Sequence, residues 1–403
     1  MRRWMRPTAL ALALLAGAAT TGFTAGPGLP AGSAPPPAAT SPAATSPAAT
    51  LDADLAARID ELAQAALTGG VTGAVVGISD PVRGTHLRAY GTADTAGTPM
   101  APDVHYRIAS VTKTFTAQAV LRLADQGRLS LDDPLAEYVP DIPHGDEITL
   151  RHLLGMRGGV YDFVADEEFM ARYVADPLLP GWSPYDVLEI IRAHADEAAP
   201  PGRATVYSNS EYVLLGLVVE QVTGRSAQQY LTTVIEDLGL PHTSYPTTAA
   251  LPEPFTRGYV NTDSELAPVD PAAEEPRDVT SSNPAVPSTA GAIVSTVPDM
   301  IRYAEQLATG AGLTPETARL RQEWTPLTST GIRVQYGLGV LQLGDWVGHN
   351  GSIFGYSDMV SHLPEREASV VVMVNAADGE AVPADDLWAG IVTLLYPDSL
   401  PTW

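Results

Sequence analysis

The order of secondary-structure patterns constrains the fold of this 403-residue chain more than any other feature. Segments typical of strands occur near the N-terminal end, at 71–79 and 84–93, and again from about residue 336 onward. Between about 111 and 310 the patterns are mostly helical, with long loops rich in proline and glycine. A final helix is predicted at 383–396. We therefore expect an α+β domain in which one antiparallel sheet is built from both chain ends, with flanking helices and a mostly helical subdomain.

Helix ends can be located from glycines that follow apolar repeats. The segment beginning at Leu51 carries apolar residues three or four apart and stops at a glycine pair, which predicts an amphipathic helix. Two further helical segments are predicted to end at Gly127 and Gly224. Another helix is predicted to begin at Thr296, because Asp299 follows it with capping spacing.

One long segment of the helical part has no apolar period. Residues 261–291 are acidic and rich in proline, and we interpret them as a long surface loop rather than a domain linker. Helical pattern resumes immediately afterwards. In α+β layouts of this kind a cleft lies between the sheet and the helical part, so the functional site is expected at that boundary.

The first 50 residues are expected to lie outside the folded domain. Three arginines precede an apolar stretch of about a dozen residues, which is the layout of an export signal within residues 1–34. An anchoring membrane helix is the alternative, but it needs about 20 apolar residues. Residues 35–50 contain mainly Pro, Ala, Ser and Thr and predict a disordered spacer. The folded domain is expected over 51–403, secreted to the cell wall or medium without a stable membrane anchor.

Composition excludes several classes of partner and cofactor. The formal net charge is −24, and such an acidic surface repels nucleic acid and anionic lipid. The chain has no cysteine to form disulfides or to ligate zinc. It also lacks the H-E-x-x-H and P-loop motifs. We therefore expect neither a metal nor another cofactor.

The chain contains a single lysine, Lys113, among 23 basic residues. It follows Ser110 by three positions at the start of a predicted helix, so the two side chains should share one helix face. A serine hydroxyl becomes a good nucleophile when a nearby base takes its proton. A buried lysine can lose its proton and act as that base, whereas arginine stays charged. Ser-x-x-Lys alone is a weak motif, and a chance pairing is the alternative.

A second cluster, Tyr207–Ser208–Asn209, precedes an apolar helix. A phenol beside a cation can lose its proton and act as a base, and an asparagine offers both a donor and an acceptor to an amide substrate. The alternative is turn chemistry, in which Ser208 or Asn209 caps the helix.

A third cluster, His349–Asn350–Gly351, lies on a predicted strand. A substrate could pair along this strand, and Gly351 would let a ligand backbone approach closely. Taken alone, a histidine such as His349 is more often structural.

Together, Ser-x-x-Lys, Tyr-x-Asn and His-x-Gly in this order resemble the serine β-lactamase-like family, which includes class C β-lactamases, D-alanyl-D-alanine carboxypeptidases and related esterases. The resemblance runs from about Leu51 to the C-terminus and implies a β-lactamase/transpeptidase-like fold. It implies that Ser110 forms an acyl-enzyme and that Lys113 and Tyr207 move the proton. It further implies an oxyanion hole made by the backbone N–H groups of Ser110 and Ser352, and substrate binding by Asn209, His349 and Gly351.

The resemblance implies an exported serine hydrolase that acts on a small acyl substrate. A penicillin-reactive D-alanyl-D-alanine carboxypeptidase acting on cell-wall peptide is the first expectation. His349 stands where class C β-lactamases carry a lysine, which makes efficient β-lactam hydrolysis less favoured. A carboxypeptidase also needs a cation for the substrate carboxylate, which Arg157 or Arg333 would have to supply. An esterase, a D-amino-acid amidase, a class C-like β-lactamase and a non-catalytic peptide-binding relative stay open, as does the oligomeric state.

Overall fold

The computed structural model describes residues 50–68, 71–260, 276–328, 334–377 and 382–400. The predicted export signal, nearly all of the predicted spacer and Arg333 lie outside these ranges. Within the described ranges, no helix has the length and apolar character needed to span a bilayer.

One antiparallel sheet of eight strands dominates the described structure, in the order β2-β1-β12-β11-β10-β9-β8-β7. Its strands come from both chain ends, as the sequence predicted. They are β1 (Gly73–Asp80), β2 (Gly84–Gly91), β7 (Thr325–Pro326), β8 (Val334–Tyr336), β9 (Leu341–Leu343), β10 (Trp346–Ile353), β11 (Tyr356–Leu363) and β12 (Ala368–Val374).

The centre of the sheet is buried on both faces. Strand β12 has the sequence ASVVVMV and every residue of it is buried, as expected for β-branched side chains in a covered strand. It pairs with β1 through Ala74 opposite Val374, which joins the two ends of the chain. Helix α9 (Val297–Thr309) packs on this sheet, and so does α11 (Pro383–Leu395), which in turn contacts α1 (Ala53–Thr68).

The middle of the chain forms the helical part, with two small two-stranded sheets. Helix α2 (Thr112–Asp125) is almost entirely buried and packs against α6 (Asn209–Thr223), α7 (Ala227–Asp237) and α8 (Ser288–Gly291). The remaining elements are α3 (Leu150–Leu154), α4 (Glu167–Ala175), α5 (Asp186–Ala193), α10 (Pro315–Arg321), β3 (Tyr106–Arg107) paired with β6 (Val294–Ser295), and β4 (Tyr259–Val260) paired with β5 (Arg277–Asp278).

The helix boundaries predicted from local signals are confirmed. Helix α6 ends at Gly224, whose φ of 68° is the left-handed conformation that favours glycine. Helix α9 begins after Thr296, whose hydroxyl accepts a hydrogen bond from the backbone N–H of Asp299 at 3.4 Å.

The interpretation of 261–291 as a surface loop is wrong for its described part, 276–291, because much of this segment is buried. The buried guanidinium of Arg107 donates hydrogen bonds to the carbonyl oxygens of Thr280 and Ser282, at 3.0 and 3.3 Å. Such side-chain donors satisfy the buried carbonyls without a helix or strand ladder. The segment therefore lacks a periodic pattern although it lies inside the protein.

Candidate active site

Ser110 lies in a short 3-10 turn, Ala109–Val111, between β3 and α2, and its side chain is partly exposed. Ala109 has a φ of 43°, a conformation that a residue other than glycine rarely adopts. Strand β10 packs tightly against this turn. A Cβ atom added to Gly351 would lie 2.5 Å from the carbonyl oxygen of Ile108 and 3.1 Å from Cβ of Ala109. The strained turn thus holds Ser110 at a fixed place beside β10.

The amine of Lys113 is completely buried and has three close partners. Its Nζ lies 2.9 Å from Ser110 Oγ, 2.8 Å from Asn209 Oδ1 and 2.8 Å from the carbonyl oxygen of Ala290. Burial lowers the pKa of Lys113 to about 7, although Asp162 opposes this shift. A neutral amine can donate its two hydrogens to the two carbonyl-type oxygens and direct its lone pair to Ser110. The geometry therefore suits Lys113 as the base, as predicted from the sequence.

Tyr207 lies on the other side of the same amine. Lys113 Nζ is 4.9 Å from the centre of the Tyr207 ring, and the Tyr207 hydroxyl lies close enough to Ser110 for the serine to lower its pKa. Burial raises the pKa of Tyr207, and this effect outweighs the opposing influence of Ser110. The expectation that a neighbouring cation lowers this pKa is therefore wrong. The phenol stays protonated at rest, where it can relay a proton between Ser110 and a leaving group.

Asn209 is the first residue of α6, and both ends of its side-chain amide are engaged. Its Oδ1 accepts from Lys113, while its Nδ2 donates to Asp162 Oδ2 at 3.1 Å. Its backbone N–H donates to Asp162 Oδ1 at 3.0 Å. The alternative that Ser208 caps the helix does not hold, because the Ser208 hydroxyl donates to the carbonyl oxygen of Val160.

Asp162 was missed by the sequence reasoning. It lies 47 positions before Asn209, in the loop between α3 and α4, and no periodic pattern connects the two. The available signal was an acid set in the apolar and glycine-rich stretch GGVYDFV. Burial raises the pKa of Asp162 to about 6, while the charge of Lys113 and hydrogen bonds from Asn209 act in the opposite direction.

His349 is buried on β10, and its protonation state follows from its partners. Its Nδ1 lies 2.6 Å from the carbonyl oxygen of Asn350, which can only accept, so Nδ1 carries the proton. Burial and the nearby charge of Lys113 lower the pKa of His349 to about 3. The ring is therefore neutral, and its Nε2 accepts from the Tyr336 hydroxyl at 3.3 Å. The cluster His349–Asn350–Gly351, the third motif of the site, therefore supplies no positive charge.

Gly351 and Ser352 follow His349 on the same strand. The missing side chain of Gly351 makes room for the backbone before Ser110 and for Asp358, which is a different reason for glycine than the close approach of a substrate. Ser352 is partly exposed beside the nucleophile turn. Its role in an oxyanion hole, together with the N–H of Ser110, stays a prediction.

Of the two arginines considered for binding a substrate carboxylate, Arg157 lies in the described part of the chain and Arg333 does not. Arg157 Nη2 donates to the carbonyl oxygen of Gly202 at 2.7 Å, and Gly202 N–H donates to the carbonyl oxygen of Arg157 at 2.8 Å. Arg157 thus joins its own loop to the segment that leads into Tyr207. Arg333 lies outside the described residues. In the described part of the chain, no three or more acidic or histidine side chains are grouped so as to hold a metal ion.

The fold and the site define a hydrolase of the serine β-lactamase type, with a large antiparallel sheet, flanking helices and a Ser-x-x-Lys nucleophile turn. A family model described as "Beta-lactamase" matches residues 55–393. The chain belongs to this family.

Curated relatives match over part of the chain. "Protein flp" of Staphylococcus aureus (strain N315) is 32% identical over 167 residues, which is 39% of this chain and 32% of that protein. "Probable hydrolase M10" of Phoma sp. is 33% identical over 189 residues, which is 40% of this chain and 32% of that protein. The chain therefore spans about a third of the length of these relatives.

Solved structures match over most of the chain. A D-stereospecific amidohydrolase from Streptomyces sp. has a TM-score of 0.72 and 28% identity, covering 85% of this chain and 98% of that one. The D-amino acid amidase of Ochrobactrum anthropi SV3, complexed with L-phenylalanine amide, has a TM-score of 0.73 and 27% identity, with the same coverage. The octameric penicillin-binding protein homologue of Pyrococcus abyssi has a TM-score of 0.70 and 26% identity, covering 86% of this chain and 79% of that one.

Proposed function

We propose that this protein is an exported serine amidohydrolase that cleaves D-aminoacyl amides and related esters through an acyl-enzyme on Ser110. Its preferred substrates have no free carboxylate beside the scissile bond. The observation that carries the proposal is the neutral state of His349, which leaves the third motif without a cation to bind such a carboxylate. The similarity to two D-specific amide hydrolases supports it.

The first half of the reaction forms the acyl-enzyme. Neutral Lys113 takes the proton from Ser110 Oγ, which attacks the substrate carbonyl carbon and forms the new C–O bond. The N–H groups of Ser110 and Ser352 hold the oxyanion. The proton then passes through the Tyr207 hydroxyl to the leaving nitrogen, and the C–N bond breaks. The amine departs and Ser110 carries the acyl group as an ester.

The second half releases the acid. Lys113, neutral again, takes a proton from a water molecule, and the hydroxide attacks the ester carbonyl. The Ser110–acyl bond breaks, and the proton returns to Ser110 Oγ. One amide bond and one water molecule are consumed, and the enzyme is restored.

The charge of the chain supports a substrate with a free ammonium group. The formal net charge of −24 produces a negative potential that attracts a cationic amino-acid amide and repels an anionic peptide. Two exposed apolar side chains are close in sequence to site residues. Val206 precedes Tyr207, and Val164 lies two residues after Asp162, which is compatible with a substrate that has an apolar side chain.

A D-alanyl-D-alanine carboxypeptidase is the second candidate. Penicillin-binding homologues support it, among them the Pyrococcus protein and a penicillin-binding protein of Bacillus halodurans with a TM-score of 0.68 and 25% identity. This activity would need Arg157 to leave Gly202 and turn toward the substrate carboxylate, or another cation to take that place.

A matched pair of substrates separates the two candidates. An N-acetylated D-Ala-D-Ala peptide is compared by kcat/KM with the same peptide whose C-terminus is an amide, and D-alanine p-nitroanilide is compared with its L-form. The proposal predicts that the amide-terminated peptide and the D-anilide are preferred, each by about tenfold or more. A preference for the free carboxylate would replace the amidohydrolase with the carboxypeptidase. The Ser110→Ala variant is the control for contaminating hydrolases.

A further inference from the structure

We propose that Asp162 is a positioning residue for the reaction at Ser110, because its carboxylate clamps Asn209 and thereby fixes the place and the protonation of the Lys113 amine. The inference rests on the proposed acyl-enzyme chemistry at Ser110. It does not depend on which amide or ester is the substrate.

The clamp consists of two hydrogen bonds from one residue to one carboxylate. The backbone N–H of Asn209 meets Asp162 Oδ1 at 3.0 Å, and Asn209 Nδ2 meets Oδ2 at 3.1 Å. A flipped amide would turn Oδ1 toward the carboxylate and Nδ2 toward the Lys113 amine. The contact with the carboxylate would then be repulsive, since a carboxylate only accepts, and Nδ2 would compete with Ser110 for the lone pair of the neutral amine. Asp162 therefore selects the orientation in which Asn209 Oδ1 accepts from Lys113 at 2.8 Å.

Asp162 also performs the capping role at the start of α6. Ser208 occupies the N-cap position, but its hydroxyl donates to Val160 instead of capping the helix. The N–H of Asn209 is one of the helix-terminal donors without a partner inside the helix, and the Asp162 carboxylate satisfies it. A third cross-link lies nearby, since the backbone N–H of Phe163 donates to Ser210 Oγ at 2.9 Å. The loop that carries Asp162 is thus tied to the first residues of α6.

Among the described residues, few groups act electrostatically on the Lys113 amine and the Asp162 carboxylate. The Lys113 amine faces Tyr207 and Tyr212 of the α6 region, His349 of β10 and Asp162 of the loop after α3.

Asp162 in turn is near the Tyr161 phenol and the buried Glu211 carboxyl of α6. Burial raises the pKa of Glu211 well above its usual range, which favours its neutral form, and it lowers the pKa of His349 to about 3. In the described part of the chain, Asp162 is the acid whose charge acts on Lys113 and holds its pKa higher than burial alone would.

Two substitutions separate the clamp from the charge. Asp162→Asn removes the charge and turns an amide nitrogen toward a donor of Asn209, so both effects are lost. Asp162→Glu keeps the charge but lengthens the side chain, so the clamp alone is disturbed. Asp166→Asn is the matched control. Asp166 accepts from the N–H of Phe169 at the start of α4, and among its partners are His194 and Phe169 rather than Lys113 or Asn209.

The experiment measures the rate of acylation by p-nitrophenyl acetate as a function of pH in full-length wild type and in the three variants. For Asp162→Asn we expect a plateau lowered about 10- to 100-fold and an acid limb displaced to lower pH by about one unit. For Asp162→Glu we expect a lowered plateau with the acid limb of the wild type. Asp166→Asn should keep both the limb and the plateau.

The outcomes are distinct. An Asp162→Asn enzyme with the plateau and acid limb of the wild type would overturn the inference, as would an Asp162→Glu enzyme with an unchanged plateau. If Asp162→Asn does not fold, as judged by its thermal unfolding, Asp162→Glu alone decides on the clamp. A wild-type protein that is not acylated at Ser110 would remove the proposed function and the inference with it. If the wild type is acylated at Ser110 and both Asp162 variants keep its plateau rate and acid limb, the inference is wrong while the proposed function stands.

Discussion

Lys113 Nζ lies 2.9 Å from Ser110 Oγ, one helical turn away at the buried start of α2. This distance explains why a chain rich in arginine has a lysine here. The amine is enclosed, and burial brings its pKa to about 7, so that a base is present at neutral pH. A guanidinium at the same place would stay protonated.

The Lys113→Arg variant should therefore lose acylation while it keeps its positive charge. We expect the acylation rate to fall about 10²- to 10⁴-fold, the range of general-base catalysis. Stopped-flow measurement of the p-nitrophenol burst tests this. The reverse exchange Arg122→Lys, on the more exposed side of the same helix, should leave the rate unchanged. Near-normal acylation of Lys113→Arg would show that Lys113 is an electrostatic neighbour and not the base.

The pH dependence of kcat/KM should report the Lys113 amine. The reaction needs the unprotonated amine, so the rate should rise with pH through about 7 and then reach a plateau. An uncharged ester substrate isolates this ionisation from that of the substrate. A profile that is flat from about pH 5 to pH 9 would contradict the assignment of Lys113 as the base.

A cation introduced at the third motif should change substrate preference. His349→Lys places an ammonium where the neutral imidazole lies, and an ionic hydrogen bond to a substrate carboxylate is worth about 1.5–3 kcal/mol. We expect kcat/KM for the D-Ala-D-Ala peptide, relative to its C-terminal amide, to rise about tenfold or more. Tyr336→Phe, which removes the donor to His349 Nε2 without adding charge, should leave this ratio unchanged. An unaltered ratio in His349→Lys would show that the missing cation does not set the preference.

The buried carboxyl of Asp385, which is hydrogen-bonded to Asn350 of β10, should make the protein less stable as pH rises. Asp385 accepts a hydrogen bond from Asn350, and burial raises its pKa from 3.8 to about 8. Between these values the unfolded chain has released the proton and the folded chain retains it. Stability is therefore lost progressively as pH rises from about 4 to 8.

In Asp385→Asn this loss should be smaller, so the fall in Tm between pH 5 and pH 8 should shrink. Thermal unfolding at the two pH values measures it. Glu365→Gln, at an exposed turn, is the control and should follow the wild type. A variant Asp385→Asn with the full wild-type loss of Tm would mean that Asp385 does not carry this dependence.

The residues that could be predicted from the sequence are those fixed by local geometry. Ser110 and Lys113 are three positions apart where a short turn leads into α2. His349 to Ser352 lie on one strand, β10, which the sequence predicted. The sheet made from both chain ends could likewise be predicted, because its strands and the helices between them have distinct periods.

The rest depends on contacts across long sequence distances. The carbonyl oxygen of Ala290, in the short helix α8, accepts from the Lys113 amine, and Asp162, in the loop after α3, accepts from Asn209. Neither segment has a periodic pattern in the sequence. The direction of the Tyr207 pKa also depends on burial, which a sequence motif does not reveal. Local spacing therefore predicted that Ser110 and Lys113 lie together, while the groups around the Lys113 amine required the fold.

The central claim is that Ser110 carries the acyl group during turnover. Mass spectrometry of the protein quenched during hydrolysis of a slowly turned-over D-aminoacyl ester, followed by peptide mapping, tests it directly. The account predicts an added acyl mass on the peptide that contains Ser110, absent from Ser110→Ala. Rapid turnover with Ser110 unmodified, or an acyl group on another residue, would contradict it.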